Sequence, residues 1–178
     1  VLAISGDGEY LAVGSSDNHV YLFDKEGNAP LWSYEADGDI VSIDISTSGQ
    51  YIVAGSQDQK IYLFDTESST PLWSRSTSLD PLVSISADGK YIAKGNGDAF
   101  VCLFEKNSST ELWSHQLSSS VSSIAISEDG EYIAVGSADG DVYLFDKDSS
   151  TPLWSYEDAW SVTSVTISAN GEYIAAGT

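Results

Sequence analysis

Basic residues and cysteines are scarce in this chain. Seven Lys and Arg face 27 Asp and Glu, giving a net charge of −20 and a pI near 4.1. Phosphate recognition depends on Lys and Arg, so nucleic acid is excluded as a partner, and anionic membrane surfaces are disfavoured for the same reason. The acids are scattered through turn-like segments and not gathered in a tail, which argues against a disordered acidic extension. Two explanations of the charge stay open: solubility at high salt, and a surface that binds cations or a basic partner. Cys102 is the only cysteine, so no disulfide framework can form within the chain. It stands where other parts of the sequence have Tyr21, Tyr62 and Tyr143, and reads as a packed strand residue. No apolar run is long enough to cross a membrane, no stretch has helical periodicity, and no secretory leader is visible. No Ser-His-Asp set, phosphate-binding loop or basic aromatic face can be assembled.

What the chain does contain is a repeat. Trp32, Trp73, Trp113 and Trp154 recur at steps of 40 or 41 residues, each between Leu and Ser. Within the fourth unit, Val121–Ser127, Tyr132–Ser137 and Val142–Asp146 read as short strands, with Pro152–Glu157 as a fourth. Glu128-Asp129-Gly130 and Ala138-Asp139-Gly140-Asp141 supply the turns between them. Pro152 suits the first residue of an edge strand, where no ladder donor is needed. The third strand is apolar on consecutive positions, as expected if both faces of each sheet are covered by neighbouring sheets. A period of about 41 residues filled with strands predicts an all-β propeller of four-stranded antiparallel blades. The units run approximately 1–38, 39–79, 80–119 and 120–160, with a half unit at 161–178. Both ends fall inside units, so the chain is expected to be part of a larger ring completed by further blades. The rivals are a small ring closed by pairing the half unit with the first, and a dimer in which two chains complete one ring.

Several marks carry a family resemblance. Asp17, Asp58, Asp98 and Asp139 sit in the turn before each third strand, and Phe23-Asp24, Phe64-Asp65, Phe104-Glu105 and Phe145-Asp146 stand where a WD repeat has its Trp-Asp pair. Asp7-Gly8, Asp88-Gly89 and Asp129-Gly130 match the turns of the same family. The Thr-Pro-Leu-Trp-Ser segments are similar to the Leu-Trp endings of repeats in quinoprotein (PQQ-type) propellers. The chain thus resembles WD-repeat and PQQ-like propellers of the kind found in archaeal surface proteins. That resemblance implies a binding module at the cell surface or outside the cell. The Gly-His pair that opens a WD repeat is missing, so the repeated Asp is expected to cap its own turn through backbone N–H groups. The adjacent cysteine pair of quinoprotein enzymes is missing as well. Asn107-Ser108-Ser109 is an N-glycosylation sequon, in keeping with an extracellular location.

The repeated Trp, Phe-Asp and turn-Asp residues read as scaffold, which moves attention to the segments that differ between units. The loops joining one unit to the next contain Asp37 and Asp39, Asp80, and Asp158 with Trp160, and these are the candidate contacts for a protein or glycan partner. Asp37 with Asp39, and Asp139 with Asp141, are the candidate calcium ligands, although a full calcium site needs about six to eight oxygens. No other cofactor is expected. His19 and His115 lie in different units without matching ligands and read as surface residues. The third unit departs most from the repeat, with Lys94, Asn96-Gly97 and Glu111 at positions that are otherwise apolar, small or Pro. Lys94 reads as simple drift, and the rival reading places it toward the central channel, paired with acids. The expected function is a non-catalytic interaction module. The alternative is a segment of a quinoprotein-like oxidoreductase, or of another propeller enzyme, whose catalytic residues lie elsewhere.

Overall fold

The repeat folds as a row of antiparallel sheets in the computed structural model, which describes residues 1–157 and 160–178. Strands β1 (Leu2–Ile4), β2 (Tyr10–Gly14), β3 (His19–Asp24) and β4 (Trp32–Glu35) pair in chain order as the first blade. The second holds β5 (Ile40–Ile45), β6 (Tyr51–Ser56), β7 (Lys60–Asp65) and β8 (Trp73–Ser76). The third is β9 (Pro81–Ile85), β10 (Tyr91–Asn96), β11 (Phe100–Glu105) and β12 (Glu111–Gln116). The fourth is β13 (Val121–Ile126), β14 (Tyr132–Ser137), β15 (Asp141–Asp146) and β16 (Trp154–Glu157), followed by the pair β17 (Ser164–Ile167) and β18 (Ile174–Gly177). Among the described residues none is helical, and β18 is not paired with β1.

The fourth strands begin later than the sequence suggests. In the first, second and fourth blades the strand opens at Trp and not at Pro30, Pro71 or Pro152. Proline has no N–H to give the ladder, and pairing resumes one residue on, where Leu31, Leu72 and Leu153 donate to Leu22, Leu63 and Leu144 at 2.7 Å. The third blade, with Glu111 in place of Pro, starts its strand at that residue and pairs it with Phe104.

Stacking is visible in the burial of the third strands. Ile61–Phe64, Val101–Phe104 and Val142–Phe145 are buried at every position. In β3 only Val20 and Leu22 are buried, because the first blade is covered on one side. At the other end all four residues of β16 are exposed. First strands lie against one another along the stack and form its inner edge: β5 against β9, β9 against β13, and β13 against β17.

One contact recurs between blades. Trp32 donates its indole N–H to the Thr66 carbonyl (2.8 Å), Trp73 to Lys106 and Trp113 to Lys147 (2.7 Å each). The same three rings pack on Phe64, Phe104 and Phe145 with centroids 5.5, 6.0 and 5.5 Å apart. The turns between first and second strands touch the blade before. Gly89 takes φ 71°, and a Cβ there would lie 2.2 Å from Tyr51 Cδ2. Trp154 occupies the same repeat position with no following Phe and is 43% exposed.

This arrangement predicts unequal losses from one substitution. Trp73→Ala should cost about 3–5 kcal/mol of unfolding free energy. Trp154→Ala should cost about 1 kcal/mol or less in this chain. Urea denaturation of the two variants measures the difference.

Candidate functional site

Antiparallel pairing sends the chain's turns to two opposite ends of the blades. At one end the loops between blades interlock with the turns between second and third strands. Ser56 Oγ donates to the Gly38 carbonyl (2.9 Å), Ser118 Oγ to Asp139 Oδ2 (3.0 Å), and Ser78 Oγ to Asp98. The repeated Asp organises each turn. Asp58 accepts the Lys60 N–H on Oδ1 at 3.0 Å and the Tyr62 hydroxyl on Oδ2. Asp17 accepts the His19 N–H (3.1 Å) and the Tyr21 hydroxyl (2.8 Å), and Asp98 accepts the Phe100 N–H (3.2 Å). The Tyr21 hydroxyl first, then Ser15, hold the Asp17 carboxyl below the usual range, and Ser137 does the same for Asp139. Burial and the Asp58 carboxylate push the Tyr62 hydroxyl far above its ordinary value.

The candidate residues of the inter-blade loops share this end of the molecule. Asp37 Oδ2 is exposed and lies 3.2 Å from Lys60 Nζ, which is also 3.6 Å from Asp58. Asp39 accepts the Gln57 N–H through its main-chain carbonyl (2.8 Å). Asp141 receives the Tyr143 hydroxyl at 2.8 Å, whereas Asp139 is held by Ser118. The two acid pairs are therefore occupied separately. Among the described residues no group of three or more His, Cys, Asp or Glu converges as a metal site. Asp80 is exposed, Trp160 is 72% exposed, and Asp158 lies outside the described residues.

Two expectations need correction. His19 and His115 are half-buried and not free on the surface: His19 stacks on Tyr21 at 5.4 Å and His115 meets Phe145 edge-on at 5.2 Å. Lys94 does not line a channel beside paired acids. It sits buried in the interface between the second and third blades, in register with Cys102.

Both ends are acidic, but the lysines divide unevenly between them. The inter-blade loops and their partner turns carry Asp17, Asp37, Asp39, Asp58, Asp80, Asp98, Asp139 and Asp141, and the cation beside them, Lys60, is tied to Asp37 and Asp58. Lys25, Lys90, Lys106 and Lys147 all lie at the opposite end among more numerous acids, including Asp7, Asp24, Asp65, Asp88 and Asp129, and there Lys25 pairs with Glu9 and Lys147 with Glu131 (3.1 Å) and Asp148 (2.8 Å). One acid near the inner edge escaped the reading of the sequence. Asp44 on β5 bridges to β9, accepting Ser84 Oγ and the Ile85 N–H at 3.0 Å each. Nothing local distinguishes it from the other dispersed acids. Only the meeting of adjacent first strands reveals its role.

Residues 2–105 match a PQQ-like repeat family model described as outer membrane protein assembly factor BamB, and residues 106–146 match the WD domain, G-beta repeat. The two matches meet between β11 and β12, inside a single blade. No curated protein matches the chain.

Burial raises the Asp44 carboxyl above the ordinary aspartate value of 3.8, against the opposing hydrogen bonds of Ile85, Ser84 and Ile45. A raised folded-state pKa means that the native state holds the proton more tightly. The associated stability is present below the unfolded value and is lost as pH rises through the folded one. Asp44→Asn should therefore flatten the fall in stability as pH rises above the ordinary aspartate value of 3.8. Chemical denaturation across that range checks this.

Proposed function

This chain belongs to the PQQ-like repeat family whose model is described as outer membrane protein assembly factor BamB, and we propose on that premise that it is a non-catalytic propeller module binding a protein partner. The observation that carries this reading is Trp160, 72% exposed at the end of the molecule that carries the inter-blade loops and their acids. A large amphipathic ring is an efficient anchor, and surrounding acids steer a basic segment toward it. The family description names an assembly factor, which favours partner binding over catalysis. The adjacent cysteine pair of quinoprotein enzymes is missing, since Cys102 is the only cysteine.

Two further parts of the reading concern context. Leu2 and Ile4 on the first blade, and Trp154, Tyr156 and Tyr173 at the other end, are exposed on sheet faces that the middle blades keep covered. We assign those faces to ring completion, by further blades or by a second chain. Asn107 of the sequon is exposed in the loop between β11 and β12, which supports a location outside the cell or at its surface.

A lysine-rich peptide titrated against intrinsic fluorescence tests the binding face. Binding should weaken at higher salt, and Trp160→Ala should lower affinity about tenfold with Tm nearly unchanged. A large loss of Tm would place Trp160 in the core, and a peptide that fails to bind at low salt would contradict the reading. Dye reduction after addition of pyrroloquinoline quinone and calcium would overturn the non-catalytic assignment.

A further inference from the structure

At one blade interface the repeat replaces its aromatic filling with charge. Between the first and second blades, Tyr34 packs on Tyr62 with centroids 5.3 Å apart. Between the second and third, Arg75 stands in the place of Tyr34 and Cys102 in the place of Tyr62. Lys94, the cross-strand neighbour of Cys102, replaces the apolar Val13, Ala54 and Val135 of the other blades. Glu111 replaces Pro. These substitutions face one another around a cavity of about 420 Å³, together with Asp98 and Phe104.

The lysine stem does not fill the space that a tyrosine ring leaves, and the charges present do not all satisfy one another. Arg75 donates to the Ser109 carbonyl at 2.9 Å and lies 3.7 Å from Glu111 Oε2, with its guanidinium over the Phe104 ring. Asp98 is engaged by Ser78 and by the Phe100 N–H. Lys94 retains 4% exposure and donates no hydrogen bond and forms no ion pair among the described residues; Asp98 and Glu111 act on it only through their fields. An ammonium largely withdrawn from water and without a partner is costly, and burial accordingly lowers its pKa, while its Nζ still reaches the pocket. A drifted core position would be expected to keep an apolar residue or gain a partner. Here the donor lines a cavity of the size that holds small ligands, about 300–1,000 Å³.

We propose that this inter-blade cavity binds a small organic monocarboxylate, its carboxylate accepting from Lys94 Nζ and its hydrocarbon part lying against Cys102 and Phe104. Arg75 is answered by Glu111 and the Asp98 oxygens by the Ser78 hydroxyl and the Phe100 N–H, which leaves the Lys94 ammonium as the lining's charged donor without a hydrogen-bond partner. This pocket borders the loop end through Ser78 and Asp98 but does not depend on binding at Trp160.

Butyrate is the direct probe, followed by amide chemical shifts and calorimetry on the chain, with butylamine as the tail-matched cation. Saturable butyrate binding with a Kd of about 1 mM or tighter is expected, with shifts centred on Lys94 and Cys102. Lys94→Met should weaken it at least about tenfold. Cys102→Tyr restores the residue of the other blades, fills the cavity and should abolish binding in a folded protein. Butylamine binding as tightly as butyrate, equal butyrate affinity in the folded Cys102→Tyr variant, or no saturation below about 10 mM would each overturn the proposal.

Discussion

Trp32, Trp73 and Trp113 each donate an indole N–H to a main-chain carbonyl of the following blade while packing on that blade's buried Phe. The stack depends on this contact. A lone four-stranded sheet of this composition leaves a consecutive apolar third strand exposed on one face, and only a neighbour can cover it. The Trp contact fixes where that neighbour sits, because the donor needs one carbonyl and the ring needs one Phe. Hydrogen bond and aromatic pair each contribute on the order of 1 kcal/mol beyond the area buried. Repeated between blades, they make stability a sum of interface terms.

Once the repeated residues are committed to packing, function is left to the residues that break the repeat. The turn aspartates belong to the first group, since their oxygens are taken up by the N–H and hydroxyl groups of their own turns and of the loops beside them. Trp160 and the loop acids belong to the second, as do Arg75, Lys94 and Cys102. The two groups obey different physics. Repeated marks lower the energy of one geometry, whereas the deviations leave an exposed ring in one place and an unpaired ammonium in another.

The fold was legible because its signal is periodic, so that an error in one unit is corrected by the next. Strand positions two and three follow directly from Tyr-Ile-Ala-Val-Gly and Tyr-Leu-Phe-Asp segments. Where a single residue decides, the period alone is insufficient. Proline delays the fourth strand by two residues, and Glu111 shows the reason by not doing so. The site was legible only in part. Lys94 and Cys102 are visible as departures along the chain, but their meeting with Arg75 requires the stacking of two blades. Asp44 and Ser84 likewise come together only because first strands adjoin.

Hydrogen exchange of the indole N–H groups tests the inter-blade contact most directly, because it reads the donor itself in the intact chain. Trp32, Trp73 and Trp113 should show slow exchange that ends with unfolding, while Trp154 and Trp160 exchange rapidly. Equal exchange at all five tryptophans would contradict the account, since the three contacts would then not be holding the blades together.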